Sequence, residues 1–171
     1  MNKLGTLYFF TGKMGAGKST TAKKLEINKN AILLSEDDWL SQLYPNEITT
    51  FDDYLKYSKL IKPLLKEHIQ RILKVGSNVV LDFPGNTKTQ RSWLLSIATE
   101  IKANHELIFL NIDDEKCLER IKKRSIEEPS RKNFDTKETF EYVTSFFEEP
   151  LLSEGLNINE IKGAGQKSSC I

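Results

Sequence analysis

The sequence predicts an α/β fold, a parallel five-stranded sheet with helices on both faces. Three observations lead there. Short apolar runs of strand character alternate with stretches of helical periodicity along the chain. The 171 residues are 39% hydrophobic and 29% charged, which is enough apolar chain to fill the core of one soluble domain. A glycine-rich stretch and several carboxylates fall at the carboxyl ends of the apolar runs, where open parallel sheets collect ligands.

The elements follow in order. Residues 6–11 are β-branched and aromatic between Gly5 and Gly12, and read as a buried strand. A helix over 17–27 turns Ala22 and Leu25 inward. Residues 31–34 form a second strand, and a short helix over 39–43 is capped by Asp37 or Asp38. A long helical pattern covers 51–75, with Tyr54, Ser58, Ile61, Leu65 and Ile69 near one face, Pro63 as a kink and Gly76 as the stop. Strands over 78–81 and 107–112 flank a helix over 88–104. A helix over 114–124, a polar loop to 135, a helix over 136–147 and a short strand at 157–161 complete residues 1–162 as a single domain. Residues 163–171 are small and polar, and read as a flexible tail.

Charge and cysteine usage exclude several classes. With 25 basic and 24 acidic side chains the net charge is +1, so the chain has no general attraction for nucleic acid or an anionic membrane. Cys117 and Cys170 have no metal-ligand spacing and read as a core thiol and a tail thiol in a reducing compartment. No signal segment or membrane-length apolar run is present, and the expected location is cytoplasmic.

Gly12-Lys13-Met14-Gly15-Ala16-Gly17-Lys18-Ser19 matches the phosphate-binding pattern G-x-x-x-x-G-K-[ST], with Thr20 following. Its glycines let successive amides face one anion, and the next helix adds its positive end. Lys18 is placed for the β- and γ-phosphates of ATP, and the Ser19 hydroxyl for Mg²⁺. Asp82 ends an apolar strand; it either joins Ser19 in holding the metal or caps a turn. Glu36-Asp37-Asp38 closes the second strand, and a single cap does not account for three acids in a row. Arg120 and Arg124 share a helix face before a polar loop, the layout of a lid near 120–136 or of a solvated basic helix. Asn86 and Arg91 lie just beyond Asp82, where a pocket wall and ordinary turn chemistry both fit. Trp39, Leu43, Tyr44 and Phe83 are candidates for an apolar acceptor wall, or for plain core.

These pieces, in this order, resemble the small P-loop kinases of the AAA_33, zeta toxin, polynucleotide kinase and chloramphenicol phosphotransferase group, over about residues 7–147. The resemblance implies a nucleotide-kinase-like P-loop NTPase fold with strand order 2-3-1-4-5 and a small lid. It implies that Asp37 takes a proton from an acceptor hydroxyl, that Arg120 and Arg124 clamp the phosphates, and that Asp37, Trp39, Asn86 and Arg91 border the acceptor. Polynucleotide kinases carry an arginine where this chain has Leu40, and a basic residue at the place of Glu36. Those departures favour a small-molecule hydroxyl acceptor over a nucleic-acid 5′ end. A nucleotide-dependent switch without an acceptor is the reading from a different class; the chain offers no clear glutamine or glutamate to orient water for it.

Overall fold

The computed structural model describes residues 3–163. Its sheet has five strands: β1 (Thr6–Thr11), β2 (Ala31–Ser35), β3 (Asn78–Asp82), β4 (Asn104–Asn111) and β5 (Ile158–Lys162). All neighbours are parallel, and the order is β2-β3-β1-β4-β5, as expected. Six α-helices connect them: α1 (Lys18–Asn28), α2 (Glu36–Leu43), α3 (Phe51–Lys74), α4 (Lys88–Thr99), α5 (Asp114–Glu127) and α6 (Lys137–Thr144). The tail expected at 163–171 lies outside the described residues beyond Gly163, as does Cys170.

The period-2 alternation of β1 divides the core. Leu7 and Phe9 point to one face, where they meet Ile61, Leu65, Ile69 and Leu73 of α3 and Leu94 and Ile97 of α4. Tyr8 and Phe10 point to the other, against Ala22 of α1, Cys117 and Ile121 of α5 and Phe140 of α6. Leu7, Phe9, Phe10, Val79, Leu81 and Leu107 are fully buried, as expected for central strands covered on both faces.

Side-chain caps set most helix starts. Thr50 and Thr87 each form a reciprocal capping box, with Asp53 and Gln90. Asp113 and Thr136 cap α5 and α6. The cap of α2 is Ser35, whose hydroxyl accepts from the Asp38 amide at 3.3 Å. Neither Asp37 nor Asp38 caps it; both stand in the first turn, where the helix dipole favours acids.

Helix α3 runs through Pro63 as one continuous helix. Several boundaries differ from expectation, among them the start of α2, at Glu36 rather than 39. Helix α4 ends at Thr99 rather than 104, because Lys102 takes a left-handed conformation (φ 59°) and Ala103 returns a hydrogen bond to the Ala98 carbonyl. Strand β4 therefore begins at Asn104 and includes His105. A 3₁₀ turn, Pro129–Arg131, interrupts the polar loop before α6.

The register brings the site together. In the β2–β3 pair Ser35 lies opposite Asp82, so the first turn of α2 and the end of β3 open side by side. Strand β1 is the other neighbour of β3, and its end leads directly into Gly12.

Candidate active site

The loop after β1 is shaped by its glycines. Gly15 adopts φ 77°, and a Cβ there would sit 2.5 Å from the Cys117 carbonyl oxygen of α5, so both conformation and space require glycine. Gly12, at φ 154°, donates its amide to Asn86 Oδ1 at 3.1 Å. The loop curls around Lys18, whose ammonium donates to the carbonyls of Gly12 at 2.5 Å and Lys13 at 3.1 Å. Helix α1 begins at Lys18 behind Gly17, with no side-chain cap and no acidic residue in its first turn. The other five helices all have side-chain caps. A helix start with its amides uncapped suits an anion, and Ser19 and Thr20 are exposed in that turn. The loop thus fits the phosphates of a nucleotide, and the Ser19 hydroxyl and the half-buried Asp82 carboxylate are oxygen ligands of the kind Mg²⁺ takes.

Electrostatics agree with a site built for anions. Burial lowers the Lys18 ammonium to about 8, with the negative charge of Asp82 opposing the shift. Arg120 anchors α5 to the loop, donating from Nη1 to the Ala16 carbonyl at 2.8 Å. Lys13 pairs with Asp114 at the start of α5. Met14 packs against the core on the α1 side.

Asp37 is exposed at the first turn of α2. Desolvation by surrounding protein, then the charges of Glu36 and Asp82, push its carboxyl above the ordinary aspartate range, with Arg131 opposing. A carboxylate so placed is a stronger base than a free aspartate.

Arg124 donates from Nε and Nη2 to the two oxygens of the fully buried Asp135 carboxylate, at 2.6 and 2.7 Å. Arg131 reaches the same carboxylate at 3.3 Å. Burial raises the Asp135 pKa, but the bonds and charges of the two arginines outweigh it and leave the group below its ordinary value. Asp135 carried no signal in the sequence beyond its place at the end of a polar loop.

The expected acceptor wall is only partly in place. Arg91 is 1% exposed and pairs bidentately with Glu154 at 2.9 and 2.8 Å. Its remaining nitrogen donates to the carbonyls of Gly85 and Glu148. With its fork occupied inside the protein, Arg91 joins α4 to the chain after α6. Phe83 also belongs to the core, at 3% exposure against Trp93. Asn86 lies at the cleft but is turned to the Gly12 amide. Trp39 is half-buried and, with Leu43, Glu26 and Leu33, lines a hollow of about 430 Å³ between α2, β2 and α1. Leu40 is 2% exposed, so the position that bears arginine in polynucleotide kinases is here a core position.

The family model of the AAA domain (AAA_33) matches residues 7–150 of this chain. The chain belongs to the AAA_33 family. This AAA_33 protein has no match among curated protein sequences. Its fold is shared with solved kinases. The Mycobacterium tuberculosis APS kinase CysC, solved with AMPPNP and APS, superimposes with a TM-score of 0.67 at 15% identity, covering 96% of this chain and 91% of that one. Chaetomium thermophilum Kti12, solved with ADP-AlF3, gives 0.65 at 18% identity, covering 94% and 91%. A sugar kinase from Janibacter sp. HTCC2649 gives 0.59 at 13% identity, covering 93% and 85%. Among the described residues of this AAA_33 protein no helix is long and apolar enough to cross a membrane.

Proposed function

We propose that this protein is an ATP-dependent phosphotransferase that moves the γ-phosphoryl group of Mg·ATP to a hydroxyl of a small-molecule acceptor in the cytoplasm. The observation that carries the reading is the position of Asp37: an accessible carboxylate of raised basicity, at the end of β2, close enough to Asp82 to feel its charge at the P-loop mouth. A switch that only hydrolyses nucleotide has no need of such a base on the acceptor side.

The residues take these roles. The loop from Gly12 to Thr20 binds the phosphates through its amides, and Lys18 adds a charge. Ser19 and Asp82 would hold Mg²⁺, which when bound would neutralise phosphate charge. Asp37 orients the acceptor hydroxyl and accepts its proton as the oxygen–phosphorus bond forms and the bond to ADP breaks. Arg120 and Arg124 lie one turn apart on α5; Arg120, already on the P-loop, and the part of Arg124 left exposed beside its bonds to Asp135 stabilise the transferred group. The kinases of similar fold support the class, since one of them was solved with AMPPNP and APS and another is a sugar kinase. A core leucine at position 40, together with a near-neutral charge, favours a small acceptor over a nucleic-acid end.

A screen with ATP labelled at the γ-phosphate, against hydroxyl compounds and nucleic-acid 5′ ends, tests the proposal. Transfer of label to a small hydroxyl compound that disappears in Asp37→Asn is the expected result. Slow release of inorganic phosphate alone, unaffected by Asp37→Asn, would overturn it in favour of a switch. Transfer to 5′ ends alone would make the acceptor nucleic acid.

A further inference from the structure

Beside the exposed Asp37 the chain buries a second carboxylate. Glu36 is 0% exposed, and its two oxygens are taken by two neutral hydroxyls of α3: Tyr54 at 2.5 Å and Ser58 at 2.6 Å. Ser58 is itself 4% exposed. Oxygen–oxygen distances this short belong to hydrogen bonds from a hydroxyl to an ionised carboxylate. Glu36 also opens α2, where the helix dipole favours an anion. The Tyr54 hydroxyl faces Asp37 as well as Glu36, so one phenol spans the two carboxylates.

We propose that Glu36 is a positioning residue for Asp37: clamped by Tyr54 and Ser58, it fixes the first turn of α2 and stands as a second carboxylate against its neighbour. This rests on the reading of Asp37 as the acceptor-side base. A second carboxylate beside a base makes proton uptake by that base more favourable, and a rigid clamp keeps the base's own carboxylate from swinging away. The groups that face Asp37 are Glu36 and Asp38 on α2, Tyr54 on α3, Asp82 at the end of β3 and Arg131 in the 3₁₀ turn. Of these the most deeply buried is Glu36, and its charge is a resolved cause of the raised Asp37 value, after desolvation and opposed by Arg131. Leu55 and Leu60, exposed on the same helix as the clamp, play no part in it.

The test is a carbon-13 carboxyl titration of Asp37 in the full chain, wild type against Glu36→Gln, with amide spectra to confirm that both are folded. The glutamine keeps the shape and removes the charge. In the wild type the Asp37 midpoint is expected above the ordinary value of about 3.9. In Glu36→Gln it is expected to fall toward that value. An unchanged midpoint in a folded Glu36→Gln protein overturns the proposal. Should that variant fail to fold, the wild type alone decides. A midpoint at or below about 3.9 overturns the proposal; a higher one supports it. None of these outcomes depends on turnover. A failure of the base reading would appear instead as Asp37→Asn retaining phosphotransfer.

Discussion

Arg124 and Asp135 form a two-pronged ion pair that ties α5 to the end of the polar loop, with Nε and Nη2 at 2.6 and 2.7 Å from the two carboxylate oxygens. The carboxylate is fully buried and the guanidinium one-third exposed. The pair therefore anchors the end of the polar loop from inside, while part of Arg124 still faces outward.

Arg124→Lys keeps the charge and loses the fork that holds Asp135, and with it the placing of the exposed part of the side chain. Phosphotransfer is expected to fall at least tenfold, about 1.4 kcal/mol of transition-state stabilisation. Nucleotide affinity, measured by calorimetry, should change less. Equal turnover in the lysine variant would reduce Arg124 to a structural anchor. The anchor itself is pH-dependent. The Asp135 pKa is depressed, so the stability it contributes is present above the unfolded value near 3.8 and is lost as the pH falls through the lower folded value.

Arg91→Ala is expected to act on stability and not on acceptor affinity. It leaves Glu154 buried without its cation and frees the carbonyls of Gly85 and Glu148. Loss of one partner of such a pair costs about 3 kcal/mol or more. The bonds from Arg91 hold the Glu154 carboxyl below its ordinary value near 4.5. The difference between wild type and variant should be complete above that pH and shrink as the pH falls through the lower folded value. Urea unfolding at pH 7 and pH 3 checks both points. A folded variant of normal stability and weakened acceptor binding would return Arg91 to the pocket wall.

These two arginines also mark where the sequence stops being legible. Features encoded within a few residues could be read: the cradle from Gly12 to Ser19, the alternation of β1, and the stop of α3 at Gly76, which has φ 90° and accepts its left-handed turn at no cost. The corresponding stop of α4 could not, because the same turn is made by Lys102, a residue with no preference for it. Partners distant in sequence were equally hidden. Arg91 meets Glu154 across 63 residues, and Glu36 meets Tyr54 across 18. An arginine after a strand looks the same in a sequence whether its fork is free for an anion or filled from within. The strand order, by contrast, followed from the family resemblance, and with it the convergence of β1, β2 and β3 on one cleft.

Lys18→Ala is expected to abolish or greatly weaken productive use of ATP while the fold persists, because the ammonium sits at the loop and not in the hydrophobic core. The wild-type lysine offers a finer test. With its value lowered to about 8, a part of the population is neutral at pH 8 in the free protein. Phosphate oxygens favour the charged form, so ATP binding at that pH should draw in protons. Calorimetry in buffers of different ionisation enthalpy reads this directly. Proton uptake that is present in the wild type and absent in Lys18→Ala is the expected pattern; equal uptake in both would assign it to another group.

Asp37→Asn separates chemistry from binding and carries a second signature in stability. The amide keeps the shape of the side chain and cannot take the acceptor proton, so Mg·ATP should bind nearly as in the wild type while phosphotransfer falls by roughly 10²–10⁴-fold. Stability should move the other way. The folded protein raises the Asp37 pKa, through desolvation first and then Glu36 and Asp82, so the native state holds this proton more tightly than the unfolded chain does. Wild-type stability from this group is therefore fully present below the unfolded value near 3.8, and is lost as the pH rises through the folded value. Asparagine has no such term. The melting temperature of Asp37→Asn relative to wild type should accordingly be more favourable at pH 7 than at pH 3. An inactive variant without that pH trend would show that Asp37 matters for the reaction but carries no strained charge. An active variant with the trend would show a strained charge that the reaction does not use, and the base would have to be sought elsewhere in the cleft.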